Sequence, residues 1–201
     1  MDVNKKFWNE QSEYLSYPNE AVVRFLAANR PKDDEKKVLL DWGCANGRHL
    51  AVAKKFGFEL IGVDYSKPLL EVAKKSVLEA KFILNDGLSI KEISDNFVDT
   101  LLCFGVIFWN NKENQAIMLN EIARILKPGG VAFIDFRSER DTGYKIASHL
   151  KDKVLLSQSL DEIKELVKNS GLKLKSTEIY EFSANNMEYL NSWYQCTIQK
   201  S

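Results

Sequence analysis

The residues best able to do chemistry begin in the run Val38-Leu39-Leu40-Asp41-Trp42-Gly43-Cys44-Ala45-Asn46-Gly47. A short apolar stretch leads to an acid, then to small residues at Gly43, Ala45 and Gly47. Small residues let the backbone turn sharply and let a ligand approach the main chain. A helix opening just beyond would point free N–H groups at that ligand. Any nucleotide-like cofactor could use such a loop, and two details narrow the choice. The spacing is Gly-x-Ala-x-Gly after a strand-terminal acid, not the Gly-x-Gly-x-x-Gly of dinucleotide binders. Asp41 would repel a phosphate, but it suits a ligand with a positively charged amine or sulfonium. Gly62-Val63-Asp64 then places a second carboxylate 23 residues after Asp41. An acid at such a strand end can accept hydrogen bonds from both hydroxyls of a ribose.

Positioning these groups requires alternating strands and helices, and the pattern supplies them. Residues 18–29 read as an amphipathic helix with Ala21, Val22, Phe25 and Leu26 on one stripe. Residues 37–41 form a short apolar strand of the buried kind, 43–47 a loop, and a helix follows to about Phe56. Further strands are expected at 58–63, 81–84, 98–104 and 131–136. Ser66 is placed to cap the helix after the second strand, with Pro68 in its first turn. A helix over about 112–126 should stop at the breaker Lys127-Pro128-Gly129-Gly130. Residues 137–157 read as an irregular or partly helical insertion. Ser159-Leu160-Asp161-Glu162 is a capping box, and its helix should end at Gly171. Two β-rich segments, 173–181 and 187–199, can pair antiparallel.

In this order the motifs resemble class I S-adenosylmethionine-dependent methyltransferases. Asp41-x-Gly43-x-Ala45-x-Gly47 and Gly62-Val63-Asp64 look like the family's first two motifs. Asn85-Asp86-Gly87 resembles the turn after the third strand. Residues 97–105 resemble the fourth strand, beside the methyl-transfer centre. Ile122-Ala123-Arg124-Ile125-Leu126-Lys127-Pro128-Gly129-Gly130 is similar to the family's helix-to-fifth-strand signature. The resemblance implies an α/β fold: a doubly wound, Rossmann-like, seven-stranded sheet, mostly parallel with an antiparallel C-terminal strand, and helices on both faces. It implies one methyltransferase domain over 1–201. Within it, 1–30 would be a helical lid, 36–136 the cofactor-binding core, 137–157 a candidate acceptor-site insertion, and 158–201 a C-terminal helix and β hairpin. The backbone around Gly43, Cys44 and Ala45 would hold the methionyl end of S-adenosylmethionine, with Asp41 near its amino group. Asp64 would bind the ribose, Tyr65 would flank the adenine, and Asp86 and Gly87 would recognise the adenine edge. The Phe104 carbonyl would help hold the methionyl ammonium. Ala45 departs from the family's usual glycine, and an alanine there is expected to avoid positive φ.

Methyl transfer from a sulfonium needs orientation and exclusion of water more than a fixed set of catalytic groups. The acceptor is therefore not written in these motifs. Candidates near it are His149 in the insertion, which could serve as a base, and Tyr14 and Tyr17 in the aromatic leader. Arg137, Arg140, Asp141 and Tyr144 share the segment of His149 and could contact a polar or anionic acceptor. His49 and Asp99 read as structural, and Trp109 as a residue of either the core or an acceptor pocket.

Bulk properties bound the acceptor. Twenty-eight basic and 28 acidic residues give a net charge of zero, which argues against the basic excess of most nucleic-acid binders. Cys44, Cys103 and Cys196 are scattered and form no metal-ligand pair, so no metal is expected. The start of the chain lacks an apolar signal core, and the longest apolar run, 101–109, is too short to cross a membrane. The expected setting is cytoplasmic, with a small-molecule acceptor: oxygen or nitrogen of a polar metabolite, a sugar or a sugar-linked intermediate. A tRNA or protein methyltransferase, or a non-catalytic cofactor-binding subunit, are the alternatives. No oligomeric state follows.

Overall fold

The computed structural model describes residues 15–85, 87–143, 155–184 and 188–201. Chain order runs α1 (Glu20–Asn29), β1 (Val38–Trp42), α2 (Arg48–Lys55), β2 (Glu59–Asp64), α3 (Lys67–Ser76), β3 (Lys81–Leu84), β4 (Val98–Cys103), a 3-10 turn (Ile107–Trp109) and α4 (Lys112–Ile125). It continues with β5 (Leu126–Ser138), β6 (Ser157–Gln158), α5 (Leu160–Asn169), β7 (Leu172–Ala184) and β8 (Tyr189–Lys200). The strands form one sheet in the order β3-β2-β1-β4-β5-β8-β7, and β6 pairs with β5 off that path. Among the described strands β8 runs antiparallel to both its neighbours, β5 and β7, and β1 to β5 are mutually parallel. The doubly wound arrangement expected from the sequence is thus present. The two-residue β6 makes eight strands rather than seven.

Alternation of side chains sorts the sheet into two apolar layers. One face gathers Leu40, Trp42, Ile61, Val63, Leu101, Ala132, Ile134 and Phe136 against α4 and α5. The other gathers Leu39, Leu60, Leu102 and Phe133 against α1, α2 and α3. Strand β1 is buried on both faces because β2 and β4 flank it and helices cover both sides, which is why it reads as a continuous apolar run.

Local signals agree with the structure, with three exceptions. Asn19 and Asn111 cap α1 and α4 through their side chains, and Ser159 with Glu162 closes a capping box on α5. Ser66 occupies the N-cap position of α3, but its buried hydroxyl makes no cap bond. Its N–H donates to Asp64 Oδ1 at 2.8 Å in a turn closed at the end of β2, and its carbonyl accepts from the Leu70 N–H of the helix at 3.0 Å. Lys127-Pro128-Gly129-Gly130 does not separate helix from strand. It lies inside β5, with Gly129 at φ +80° and a register shift opposite Val98 and Thr100. A bulge there lets the chain leave α4 and pair at once. The third exception, Ala45, belongs to the site below.

Asp99 is structural, as expected. Its carboxylate accepts from the Val38 N–H at 2.9 Å and pairs with Lys127 at 2.7 Å, tying the start of β1 to β5.

Candidate functional site

In a doubly wound sheet the crevice lies beyond the carboxyl ends of the strands, where the order reverses. Here that point is between β1 and β4. Asp41 pairs in register with Gly62 of β2 and Leu102 of β4, and Leu102 pairs with Phe133 of β5. Asp64 lies two residues past Gly62, and Asp135 two residues past Phe133. Two-residue steps keep a side chain on the same face. Asp41, Asp64 and Asp135 therefore share the α1–α2 face, and the outer two stand level, one repeat beyond Asp41. All three are buried.

Each outer carboxylate reaches inward to the loop of the central strand beside it. Asp64 Oδ2 accepts from the Ala45 N–H at 2.8 Å. Asp135 Oδ1 accepts from the Gly105 N–H at 2.6 Å. Gly105 is clamped from its other side, because Trp109 Nε1 donates to its carbonyl at 2.9 Å. Asp41 makes no matching bond: its Oδ2 is buried without a hydrogen-bond partner, 3.9 Å from His49 Nδ1.

The electrostatics follow from burial. Desolvation, reinforced by Asp64, pushes the Asp41 carboxyl up to about 7, while Arg48 pulls the other way. Desolvation likewise raises Asp135 to about 7 against the Gly105 hydrogen bond. Asp64 is raised by burial, opposed by hydrogen bonds from the backbone of Ser66, Ala45 and Tyr65. His49 is pushed down to about 3, by burial first and then by Arg48, and is neutral. Its Nε2 faces the Asn19 N–H at 3.4 Å, which places the ring proton on Nδ1, toward Asp41. Arg48 feels both Asp41 and Asp135, which partly offset the loss its guanidinium suffers on burial.

The loop is tightly specified. Gly43 and Cys44 N–H groups both donate to the Val63 carbonyl, and the Gly47 N–H to that of Cys44. Gly43 sits at φ +83°, and a Cβ there would collide with Val106 Cγ2. Contrary to expectation, Ala45 adopts positive φ, at +47°. The Asp64 hydrogen bond to its N–H holds it there against a cost of about 1–2 kcal/mol for an L-residue. Ala45→Gly is expected to raise stability by about 0.5–1 kcal/mol, after the extra unfolded-state entropy of glycine is subtracted. Paired urea titrations measure this, and an unchanged midpoint would show the position to be unstrained.

Of the residues singled out from sequence, Asp41, Gly43, Cys44, Ala45, Asp64, Tyr65 and Phe104 converge on this crevice. Tyr65 is half-buried immediately after β2. The Phe104 ring stacks on Phe133 at 5.9 Å and meets the His49 ring edge-on at 5.8 Å. Gly87 is exposed, and its N–H closes an Asx turn on Asn85. Asp86, Tyr14, Tyr144 and His149 lie outside the described residues. Tyr17 is described, and its side chain is exposed. Among the described residues no cluster of His, Cys, Asp or Glu is placed to hold a metal, and no helix is long and apolar enough to cross a membrane.

Sequence reasoning missed Asp135 and Arg48, and read His49 as structural without placing it beside Asp41. Asp135 was legible as the lone acid in the buried run Val131-Ala132-Phe133-Ile134-Asp135-Phe136, where charge is rare unless used. His49 and Arg48 gave no signal of their own, because their place beside Asp41 depends on where the helix docks. Arg137, by contrast, packs between Phe108 (5.5 Å) and Trp193 (5.2 Å) and pairs with Asp141 at 3.2 Å, so it does not point freely at an acceptor.

The crevice fits a cationic, ribose-bearing ligand. Asp41 offers an orphaned anionic oxygen, Asp64 a strand-tip carboxylate, and Gly43 a backbone no side chain covers. Comparisons with known proteins agree. Residues 40–134 match a family model described as a methyltransferase domain. The chain is 29% identical over 120 residues to a cypemycin N-terminal methyltransferase of a Streptomyces species, covering 59% of this chain and 48% of that protein. It is 31% identical over 114 residues to the human probable tRNA methyltransferase 9B, covering 56% and 23%. In fold it resembles a magnesium protoporphyrin IX methyltransferase from Synechocystis with bound S-adenosylmethionine, with TM-score 0.66, 15% identity, and coverage of 90% and 77%. The chain spans 23–63% of the length of the curated relatives it matches.

Proposed function

We propose that the chain, whose residues 40–134 match a methyltransferase-domain model, is a class I S-adenosylmethionine-dependent methyltransferase and transfers the cofactor's methyl group to oxygen or nitrogen of a small polar acceptor. The observation carrying this reading is the orphaned, buried Asp41 oxygen at the point where strand order reverses, flanked by Asp64 and Asp135. A buried anion without a partner is costly and is retained where a ligand supplies the counter-charge.

S-adenosylmethionine, when bound, supplies an already activated methyl on a sulfonium. The protein's part is positioning. Asp41 would face the amino group, Asp64 the ribose hydroxyls, and Tyr65, Asp86 and Gly87 the adenine. Gly43, Cys44, Ala45 and the Phe104 carbonyl would hold the methionyl end. Asp64 can do two jobs, because a carboxylate accepts about four hydrogen bonds and can serve both the loop and a ligand. Fixing the nucleophile against the methyl can contribute about 7–11 kcal/mol in favourable systems. The neutral net charge supports a small acceptor, such as a sugar or sugar-linked metabolite, with His149, Tyr14 and Tyr17 the candidates to meet it. The similarity to a probable tRNA methyltransferase and to a cypemycin N-terminal methyltransferase favours a second reading, a macromolecular acceptor. It predicts competition by tRNA or peptide rather than by small metabolites in a methyl-transfer screen.

A thermal-shift titration tests the premise. S-adenosylmethionine or S-adenosylhomocysteine should stabilise the protein by about 2.7 kcal/mol at a hundredfold excess over Kd, and NAD should not. In Asp64→Ala, cofactor affinity should fall by about 1.5–3 kcal/mol, the range for hydrogen bonds to a charged group. A protein indifferent to both adenosyl ligands would refute the reading.

A further inference from the structure

Asp135 has no role in the motif-level description of this crevice, yet it is built like Asp64. It is 4% exposed, within the apolar run Val131–Phe136 of β5, level with Asp64, and bonded to the facing loop. We propose that Asp135 is a specificity-determining residue of the cofactor site: its negative charge favours the cationic sulfonium of the methyl donor over the neutral thioether of the demethylated product. The inference rests on the reading of this crevice as an S-adenosylmethionine site.

The placement carries the argument. Asp64 and Asp135 are separated by three strand spacings, about 14 Å between backbones, with the tips of β1 and β4 between them. A ligand with its ribose at Asp64, lying across those tips, directs its other end toward β4 and β5. Asp135 is the carboxylate on that side, and its bond to Gly105 N–H fixes it at the β4 tip. The surrounding charges leave its anion effective. Arg137 is engaged by Asp141. Arg48 is shared between Asp135 and Asp41, so one cation serves two acids. With all four ionised, Asp41, Asp64, Asp135 and Arg48 are net anionic. The donor carries one more positive charge than the product. A unit charge across a partly desolvated gap of about 8 Å is worth about tenfold or more in a binding constant. Such a device binds the donor and loosens the spent product.

The chemistry of asparagine makes the test clean. The amide oxygen of Asp135→Asn can still accept from the Gly105 N–H, so the loop contact survives while the negative charge is lost. Calorimetric titration at pH 8 of the wild-type chain, Asp135→Asn and Asp135→Glu should use S-adenosylmethionine and S-adenosylhomocysteine separately. We expect Asp135→Asn to lose about tenfold in affinity for the donor and under threefold for the product, with Asp135→Glu restoring the donor preference. Equal losses for both ligands, or none, would overturn the proposal by reducing Asp135 to a loop staple. A wild-type chain that binds neither ligand would instead remove the premise. If Asp135→Asn fails to fold, Asp135→Ser decides, since it also removes the charge: a charge reader loses the donor-to-product ratio there, and a loop staple lowers both affinities alike.

Discussion

Gly43→Ala should destabilise the fold by about 2–5 kcal/mol and reduce cofactor affinity by at least tenfold. Two costs add. The backbone sits at φ +83°, where an L-residue costs about 1–2 kcal/mol. The new methyl would also overlap Val106 Cγ2, and overpacking typically costs about 1–3 kcal/mol. The loop cannot move aside cheaply, because Gly43 and Cys44 N–H groups are bonded to Val63 and Ala45 N–H to Asp64. Urea titration measures the first effect, and calorimetry with S-adenosylhomocysteine the second. A double-mutant cycle with Val106→Ala separates the causes: relieving the overlap should recover the steric part and leave the φ cost in place. A Gly43→Ala protein as stable as wild type would mean that the loop adopts another conformation.

Asp41→Asn should move stability and function in opposite directions. At pH 8 the variant should be more stable than wild type by about 2 kcal/mol without ligand, yet bind S-adenosylmethionine at least tenfold more weakly. Asp41 is buried, its Oδ2 has no hydrogen-bond partner, and its carboxyl is raised to about 7, so above that pH the fold contains a poorly compensated anion. A shift of three pH units corresponds to about 4 kcal/mol of disfavoured ionisation, and we subtract about 2 kcal/mol for the buried donors an amide introduces. At pH 5, where Asp41 is already protonated in the fold, the gain should vanish.

The same groups set the wild-type pH profile. The raised values of Asp41 and Asp135 contribute stability that is present below the unfolded carboxylate range and lost as pH rises toward 7. The lowered value of His49 acts oppositely, contributing stability above 6.5 that is lost as pH falls toward 3. Between pH 4 and 6.5 these two acids hold protons in the fold that the unfolded chain has released. His49 lacks one that the unfolded chain holds. For these three groups the fold carries one proton more, so ligand-free stability should fall by about 1.4 kcal/mol per pH unit across that window and level off above pH 7. Denaturant midpoints at pH 5, 6, 7 and 8 check the slope. A ligand-free protein that gains stability steadily from pH 5 to pH 8, or an Asp41→Asn variant less stable than wild type at pH 8, would mean that Asp41 is satisfied in solution.

What the sequence determined by itself is the part of the molecule governed by near neighbours along the chain. Apolar runs of four to six residues, the Ser159–Glu162 capping box, and small residues at 43, 45 and 47 specify strands, a helix start and a sharp turn through local sterics and hydrogen bonding, and each is found where its pattern places it. The resemblance carried by the order of motifs then implied the doubly wound, mostly parallel sheet, with Asp41 and Asp64 at adjacent strand tips. Ser66 marks a limit of cap reading, since its hydroxyl makes no cap bond while its N–H closes a local turn on the Asp64 carboxylate two residues earlier. Ala45 is similar: intrinsic preference disfavours positive φ, and a long-range hydrogen bond overrides it. Tertiary structure alone decided that Asp135 stands level with Asp64, that one arginine is shared by two acids, and that His49 lies beside Asp41. Those relations are set by strand register and by where α2 docks. Both depend on the packing of distant apolar surfaces rather than on the residues that end up side by side.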